Sequence, residues 1–429
     1  MKRRDTATPA LLRRINAGVV LDALRAHAEM SVSDLVGRTD LSRPTVDAAV
    51  VDLVRLGLAT EADGELDASP SPRRGRPARR FRFRADAGHV LGVDIGEEDV
   101  HVAVTNLDGD IKAERSRTVR LESSRRQRLH AVRTTVRTAL AAAGVLPADL
   151  LVAVAGTPGI VDPAAGRVVF CTAMPEWSDL DLAAELRQTF GCDVLVENDA
   201  NLAAVGESWR GVAGRCHNVV FFLLGARIGA GLLVDGRLVR GHGGGAGELG
   251  FLDLWEESRT NRGEIATASA ERVAALVGWG GRRPSRASLR PADDRENLSW
   301  GVETRPLIEA ALAGDRRSRA ALERFVASAG YALATVALLL SPELIVIGGG
   351  TAADEVLIGP LRDMLGQLVG RKVATPPRLE ASTLGARAVV LGAVRHALES
   401  VESRLLERFY ANEPANAVAA SGGNARGLA

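Results

Sequence analysis

A glycine-rich stretch in the middle of the chain has the residue types best suited to holding a small molecule. It runs from Phe221 to Phe251 and reads FFLLGARIGAGLLVDGRLVRGHGGGAGELGF. Its first glycines would let backbone amides approach a ligand closely, as in loops that hold phosphate; they are Gly225, Gly229 and Gly231. A second cluster, Gly243 to Gly247, leads to a single carboxylate, Glu248. The stretch predicts a small-molecule site, and turns with close strand contacts are the alternative.

Buried strands and short turns must position these residues. The apolar run at Phe221 predicts a strand, and the Asp235-Gly236 pair predicts a tight hairpin turn. His89 to Gly96 predicts a strand that opens a three-stranded meander. Further strands are predicted at 151–155, 193–197 and 344–347, and helices at about 126–143, 266–279, 304–314, 316–340 and 384–408.

Length and composition indicate a multidomain protein with an ample core. The chain has 429 residues, 46% of them hydrophobic, which predicts two or three domains. No apolar run approaches the roughly 20 residues of a membrane span, and the N-terminus has no apolar signal core. Three scattered cysteines, Cys171, Cys192 and Cys216, form neither a disulfide framework nor a zinc pattern. We therefore expect a cytoplasmic protein that does not associate with membranes.

The first 60 residues have the pattern of a helix-turn-helix. Residues 8–27 are predicted to form a helix with Leu11, Ile15, Val19 and Leu24 on one face. Ser31 is a candidate cap for a short helix, and Asp40 stands where left-handed backbone is needed. Ser42 would cap a third helix with Pro44 in its first turn. The buried stripe of this third helix is predicted to be Val46, Val50, Leu53 and Leu56.

The third helix would then enter the major groove of DNA. Arg43, Thr45 and Asp47 stand near its N-terminal end, where base edges are read, and Ser42 precedes them. A strand-like piece over 58–66 and another over 81–83 predict a wing. A three-helix module that binds another protein is the alternative.

A basic run follows this pattern. Residues Arg73 to Arg84 contain seven arginines and no acid, whereas the whole chain has a net charge of only +1. Clustered arginine supplies the counterion-releasing part of DNA affinity. Arg74 and Arg76 flank the extended Gly75-Arg76-Pro77 segment, which would suit a narrow minor groove. A solvated linker is the alternative.

Several motifs, in order, give the chain from Leu11 to about Leu406 a family resemblance. They include LSRPTV, RRGRP, AGHVLGVDIG, GTPGIVDPAAGRV, VENDANLAAVGE, GGGAGELGF and LIVIGGG. The chain resembles the ROK family (repressors, open reading frames and kinases), in particular its xylose and N-acetylglucosamine repressors with a winged helix in front. The resemblance implies an α/β protein: an N-terminal winged helix-turn-helix followed by a two-lobed actin-like ATPase (ribonuclease H-like) sugar-kinase fold.

The resemblance also implies a division of the chain. The expected parts are a winged helix-turn-helix DNA-binding domain (1–72), a basic linker or wing (73–87), ROK lobe 1 (88–200), ROK lobe 2 (201–383), a C-terminal helix packing back on lobe 1 (384–410) and a disordered tail (411–429).

Residues of the cleft between the lobes take their expected roles from the same resemblance. Asp199 matches the base that deprotonates a sugar hydroxyl in the kinases, and Asn198 and Glu248 match sugar contacts. We expect these three, with Gly159, to line a ligand site. The alternative for Asn198 and Asp199 is that they only cap the helix that follows.

Two loops depart from the kinase pattern. Glu97-Glu98 follows Asp94-Ile95-Gly96, where the kinases have glycine and threonine facing ATP phosphates. A carboxylate about 4 Å from phosphate costs on the order of 1–4 kcal/mol. The second phosphate loop reads Gly225-Ala226-Arg227, so it lacks a hydroxyl. We therefore expect no phosphorylation by ATP, no catalytic residue and no cofactor.

The zinc site of the family is also missing. Phe251 takes the place of its histidine, and the segment that follows contains no cysteine, so no structural zinc is expected. Ala266 and Ala173 replace two polar sugar contacts. The ligand would then differ from a plain hexose, or ligand sensing would be weakened.

These observations predict a DNA-binding transcriptional regulator, a repressor, that acts on a double-stranded DNA operator as a homodimer or homotetramer. A sugar-like effector would bias the closure of the two lobes. One alternative is an ATP-dependent sugar kinase with a DNA-binding head. The other is a regulator that is independent of ligand or controlled by a partner protein.

Overall fold

The computed structural model describes residues 9–62, 79–224, 228–249, 304–349, 355–370, 372–402 and Leu405. The predicted helix at 266–279 and the predicted tail at 411–429 lie outside these residues. The chain divides into two compact units. The first contains Met1–His89, Asn106–Asp110 and Glu399–Ala429, and the second contains Val90–Thr105 and Ile111–Leu398.

Three helices and a small sheet form the described part of the first unit. The elements are α1 (Pro9–Ala26), β1 (Met30–Ser31), α2 (Val32–Thr39), α3 (Arg43–Arg55), β2 (Ala59–Glu61) and β3 (Arg80–Phe83). Ser31 caps α2 in a capping box, and Asp40 follows it with a φ of 54°, as predicted. The helix-turn-helix geometry therefore comes from local signals in the sequence.

The buried face of α1 differs from the predicted one. Ile15 and Val19 are 51% and 38% exposed. Leu24 is buried as predicted, and the side chains buried with it are Ala17, Val20 and Leu21. The small Ala17 and the apolar residues one turn later form a second apolar stripe on the same helix, and it is this stripe that packs inside. The side chain of Leu11 lies outside the described residues.

The sheet of the first unit places β3 between its two partners, in the order β1-β3-β2. Phe81 pairs with Met30 on one side and with Glu61 on the other. Phe81 and Met30 are buried, whereas Arg80 and Arg82 are exposed on the other face. The predicted strand at 58–66 is described only to residue 62, and β2 within it is three residues long. Leu56, predicted to be buried, is half-buried.

The second unit contains two five-stranded sheets. Most elements of its first half form the first sheet and its helices: β4 (His89–Ile95), β5 (Asp99–Asn106), β6 (Ile111–Thr118), α4 (Arg125–Ala143), β7 (Leu150–Thr157), β8 (Ile160–Asp162), β9 (Arg167–Phe170), α5 (Leu182–Phe190), β10 (Asp193–Asn198) and α6 (Asp199–Arg210). The strand order of this sheet is β10-β7-β4-β5-β6, and β8 pairs with β9 in a separate hairpin.

The second half of the unit repeats this order. Its elements are β11 (Val219–Leu224), β12 (Ile228–Val234), β13 (Arg237–Leu238), α7 (Thr304–Leu312), α8 (Arg316–Leu340), β14 (Leu344–Gly348), α9 (Glu355–Val369), β15 (Arg378–Ala381) and α10 (Ala388–Glu402). The sheet runs β13-β12-β11-β14-β15. In both sheets, three consecutive strands lie side by side in chain order, and two later strands, which pair in parallel with each other, follow beside the first of the three and end at one edge. The duplicated order is that of the two-lobed actin-like fold.

Close backbone contacts fix the helices of the second unit. A Cβ added at Gly206 in α6 would lie 2.2 Å from the carbonyl oxygen of Ala388 in α10, and one added at Gly92 in β4 would lie 2.6 Å from that of Val390. Glycine is therefore required where α10 packs against β4 and α6.

One described helix, α8, is long and apolar enough by composition to cross a membrane. Of its most apolar 18-residue stretch, 56% is buried, and α8 packs against α7 and α9. A core helix of a soluble protein has the same properties.

Candidate functional site

The N-terminus of α3 is the candidate DNA-reading edge. Ser42 is its N-cap: its Oγ accepts a hydrogen bond from the amide of Thr45 at 3.4 Å and lies 2.7 Å from the Thr45 hydroxyl. Pro44 occupies the first turn, where its missing amide costs nothing. Ser42 and Thr45 therefore shape the end of the helix, and their hydroxyls are already partly occupied.

Arg43 and Asp47 project from the same helix and are exposed. Arg43 makes no hydrogen bond or ion pair with any described residue. Its guanidinium is thus available to bind a base edge or a phosphate in the fork geometry that suits both. Arg74 and Arg76 lie outside the described residues.

The basic run is not uniformly available for DNA. Arg79 donates two hydrogen bonds of 2.7 Å to Glu61, and Arg80 donates one of 2.9 Å to the carbonyl oxygen of Glu29. These arginines hold the small sheet together. The side chain of Arg82, exposed two residues after Arg80 on β3, has no partner among the described residues.

An ion pair with a buried carboxylate supports α3 on the side that packs against α1. Asp52 is fully buried and accepts hydrogen bonds from Nε and Nη2 of Arg13 in α1. Arg55 approaches the same carboxylate at 3.4 Å. This pair fixes α1 against α3 and so sets the orientation of the reading edge.

In the second unit, Asn198 is the N-cap of α6. Its Oδ1 accepts a hydrogen bond from the amide of Asn201 at 3.1 Å, and its Nδ2 donates one of 3.0 Å to the carbonyl oxygen of Gly159. Gly159 has a φ of 99°, and a Cβ there would lie 2.4 Å from the carbonyl oxygen of Phe170. The structure thus brings Asn198 and Gly159 together, in a capping arrangement.

Asp199 follows as the first residue of α6 and is 3% exposed. Its Oδ1 accepts a hydrogen bond from the amide of Ala200 at 2.8 Å. Ala200 in turn packs against β12, because a Cβ at Gly231 would lie 2.1 Å from its carbonyl oxygen. The first turn of α6 therefore lies directly on β12.

Glu248 reaches the same region through β12. The carbonyl oxygen of Gly247 accepts a hydrogen bond from the amide of Ala230 at 2.8 Å, so the chain before Glu248 is held beside the strand that packs on Ala200. Glu248 is half-buried. Of the predicted site, Gly159, Asn198 and Asp199 therefore lie at the start of α6, and Glu248 follows a backbone segment held beside β12, the strand on which α6 packs.

A buried ion pair that the sequence reasoning missed lies beside these residues. Glu197, the residue before Asn198, is 2% exposed, and its Oε2 accepts a hydrogen bond of 2.6 Å from Nε of Arg240. Its Oε1 accepts hydrogen bonds of 2.9 Å from the Asn198 amide and from Nδ2 of Asn201. The only sequence signal was the polar Glu-Asn-Asp-Ala-Asn run itself, because Arg240 is 43 residues away.

The turn after β4 is held by an arginine that was also missed. Arg128 of α4 is 1% exposed, and its Nη1 donates hydrogen bonds of 2.7 and 2.6 Å to the carbonyl oxygens of Gly96 and Glu97. Burial lowers the pKa of the Arg128 guanidinium, although the charges of nearby acids including Glu97 oppose this. The turn is therefore anchored by its carbonyl groups. The second predicted phosphate loop, 225–227, lies outside the described residues.

A histidine and an aspartate form a pair next to this turn. His101 Nε2 is 3.3 Å from Asp99 Oδ2, and both side chains are largely buried. Burial disfavours the imidazolium, but the hydrogen bond to Asp99 and the negative charges of Asp99 and nearby acids outweigh it, so the pKa of His101 is raised above its ordinary value.

The described residues contain no group of three or more His, Cys, Asp or Glu side chains placed to hold a metal ion. Phe251 and Ala266, which were expected to replace zinc-site and sugar-site residues, lie outside them. Ala173 is described and is partly buried against the core of the first sheet. The three cysteines are buried free thiols.

Comparisons with known proteins agree with the fold. The ROK family model matches residues 90–400, and the model of the IclR helix-turn-helix domain matches residues 16–63. The chain is 24% identical over 393 residues to the xylose repressor of Caldicellulosiruptor bescii, covering 90% of this chain and 95% of that protein. It is 30% identical over 316 residues to the glucokinase of Thermotoga maritima, covering 70% of this chain and 96% of that enzyme.

A solved structure shows the same architecture over nearly the whole chain. It is a ROK family transcriptional regulator described as a homolog of the E. coli MLC protein, with a TM-score of 0.68 at 20% identity, covering 93% of this chain and 98% of that one. The glucokinase similarity covers 70% of this chain and the repressor similarity 90%, and the helix-turn-helix domain model matches residues 16–63. The chain therefore belongs to the ROK family and is a DNA-binding transcriptional regulator of that family.

Proposed function

We propose that the chain is a cytoplasmic repressor that reads its operator with the N-terminal end of α3. The observation that carries this proposal is the exposed Arg43, which has no partner among the described residues and stands at a capped, proline-started helix end. Thr45 supports it as a second contact, and Ser42 orders the helix end. Arg74 and Arg76 complete the proposed set as contacts to the minor groove or backbone.

The repressor would act as a homodimer or homotetramer. A helix-turn-helix protein reads two half-sites related by two-fold symmetry, which requires two heads. The exposed apolar side chains of α8 support self-association; they are Tyr331, Leu338 and Leu339, at 55%, 49% and 77% exposure. Light scattering of the purified protein tests the state, and a monomer bound to a symmetric operator would contradict it.

The effector would be a sugar or a sugar-like metabolite held by Gly159, Asn198, Asp199 and Glu248. The names of the xylose repressors among the relatives support a sugar, and the polar groups around the start of α6 suit hydroxyl binding. Such a ligand can shift DNA affinity only by binding one arrangement of the protein more tightly than another. D-xylose is the first probe.

Phosphoryl transfer is not part of the proposed function. Glu97 and Glu98 stand in the turn where the kinases bind phosphate, and the carbonyl groups of this turn are fixed by Arg128. Two carboxylates there oppose a polyphosphate.

A sugar kinase with a DNA-binding head is the second candidate. The 30% identity to a glucokinase and the aspartate at position 199 favour it. It predicts sugar-dependent ADP release that is lost in Asp199→Asn. Equal ADP release with and without D-glucose, D-xylose and N-acetylglucosamine would eliminate it.

Selection of genomic DNA fragments by the purified protein at about 150 mM salt tests the main proposal, because that salt suppresses much of the purely electrostatic binding. We expect a two-fold symmetric motif. Arg43→Ala should weaken binding to it by about tenfold or more. Arg126→Ala removes the same charge from an exposed position on α4 and is the matched control. Salt-sensitive binding without a motif, or equal losses in both variants, would refute operator reading by α3.

A further inference from the structure

An ion pair joins the loop that carries Glu248 to the start of α6. Glu197 is the penultimate residue of β10 in the first sheet, and Arg240 follows β13 in the second sheet. The 2.6 Å hydrogen bond from Arg240 Nε to Glu197 Oε2 therefore connects the two halves of the second unit. Arg240 is partly exposed, with 32% of its side-chain surface accessible, whereas Glu197 has 2%.

On the first sheet, Glu197 organises the turn that begins α6. One carboxylate oxygen, Oε1, accepts hydrogen bonds from the Asn198 amide and the Asn201 side chain, each at 2.9 Å. The other oxygen faces Arg240. A carboxylate this deeply buried is stable as an anion only when it is neutralised and its lone pairs are used. Arg240 supplies the positive charge.

On the second sheet, Arg240 organises the Glu248 loop. Its carbonyl oxygen accepts a hydrogen bond of 3.0 Å from the amide of Ala246, which closes the loop two residues before Glu248. Gly241 takes a φ of 69° directly after Arg240. Farther along, a Cβ at Gly244 would lie 1.9 Å from the carbonyl oxygen of Val161, so the loop rests on β8 of the first half.

We infer that Arg240 is a positioning residue for the ligand site: through Glu197 it fixes the Glu248 loop against the Asn198 turn. One side chain then determines the placement of polar groups that come from different sheets. Without it the loop keeps its main-chain closure but loses the link to β10. The inference deepens the proposed function, and its consequence for an effector rests on that function.

Hydrogen exchange of the full-length protein without any ligand tests the tether directly. Arg240→Ala should accelerate amide exchange in residues 240–249 and 198–202 by about tenfold or more. In the wild-type protein the loop can open only by breaking the ion pair, and the variant has no ion pair to break. Exchange in β4 should stay unchanged. The matched control is Arg167→Ala, which removes an exposed ion pair to Asp179 with 49% and 77% of the side chains accessible. Equal exchange of the loop in both variants overturns the inference.

A second variant separates positioning from general destabilisation. Arg240→Ala leaves the Glu197 charge buried without its cation, so the whole unit could lose stability. In the double variant Glu197→Gln/Arg240→Ala that charge is gone, and the unfolding temperature should recover while the loop still exchanges fast. Arg240→Lys should restore most of the loop protection. If loop protection returns with stability in the double variant, Arg240 has no positioning role.

Release of DNA by D-xylose tests whether Arg240 also affects the response to a ligand. If D-xylose releases wild-type protein from its operator, Arg240→Ala should need about tenfold more D-xylose for the same release. Unchanged release in this variant overturns the link to the ligand site. If wild-type protein binds its operator but ignores D-xylose, sensing of that sugar fails, while the exchange measurement still decides the tether by itself.

Discussion

Glu207 of α6 offers a sharp test of how the second unit is held together. This carboxylate is fully buried, and four groups donate hydrogen bonds to it. Oε1 accepts from the Ser382 hydroxyl and from the Leu384 amide at 3.1 Å. Oε2 accepts from the Val212 amide at 3.0 Å and from the Thr383 hydroxyl at 3.4 Å. The side chain therefore joins the end of α6 to the loop that leads to α10.

Glu207→Gln keeps the shape but replaces one acceptor oxygen with an NH₂ donor. The hydroxyl groups can rotate, but a backbone amide cannot, so the amide of either Leu384 or Val212 loses its acceptor. A buried amide without an acceptor costs about 1–3 kcal/mol. The remaining hydrogen bonds also lose their charge assistance, which adds on the order of 1 kcal/mol. We expect the free energy of unfolding to fall by about 2–4 kcal/mol.

Urea unfolding followed by tryptophan fluorescence measures this loss, because Trp209 lies on the same helix. The midpoint should fall at constant slope. Glu185→Gln, at a 44% exposed carboxylate that pairs with Arg133, is the control and should change stability by less than about 0.5 kcal/mol. Hydrogen exchange should show one fast amide, at either position 384 or position 212. Equal midpoints for both variants, or unchanged exchange at both amides, would refute the reasoning.

Three further predictions concern caps, pH and helix packing. Ser42→Ala removes the N-cap of α3 and should lower the stability of that helix by about 1 kcal/mol. Amide exchange in α3 should then be about fivefold faster, and unchanged exchange would contradict the prediction. The raised pKa of His101 means that its ion pair stabilises the fold below its unfolded pKa of about 6.5 and is lost as pH rises through the folded pKa. Urea unfolding should therefore show a larger stability difference between wild type and His101→Gln at about pH 5.5 than at about pH 8.5, and a difference independent of pH would exclude this role. Gly206→Ala should lower the free energy of unfolding by about 1–3 kcal/mol, because its Cβ would meet the carbonyl oxygen of Ala388. Gly359→Ala, with open space around its Cβ, should raise the free energy of unfolding by about 0.5–1 kcal/mol. Equal shifts of the two unfolding temperatures would disprove the packing argument.

Local signals allowed the DNA-binding head to be predicted closely. Ser31, Asp40 and Ser42 cap or end helices where their side chains and backbone preferences predict, because capping depends on residues three or four apart. The Asp235-Gly236 turn also has the expected positive φ at both residues, 50° and 72°. The face of α1 was wrong because two apolar stripes compete on one helix, and only tertiary packing decides between them.

The candidate site was harder to predict because its contacts are not local. Glu197 and Arg240 are 43 residues apart, and Arg128 reaches carbonyl groups 31 and 32 residues away. Neither pair has a spacing that a helix or hairpin would impose. Motif resemblance named Asn198 as a sugar contact, whereas its amide group is used to cap α6 and to hold Gly159. The alternative that this residue caps the helix describes the geometry found.

This geometry gives the Glu-Asn-Asp-Ala-Asn run a structural role that does not depend on catalysis. Glu197, Asn198 and Asn201 satisfy one another in a buried turn, so replacing any of them would leave a buried polar group without its partner. The fold therefore requires the run whether or not a phosphate is transferred. The turn that carries Glu97 and Glu98 is held through its backbone, because Arg128 donates hydrogen bonds to the carbonyl oxygens of Gly96 and Glu97. On the proposed function, the two carboxylates of this turn oppose a polyphosphate while the residues at the start of α6 keep their arrangement, which is the combination that a sensor needs.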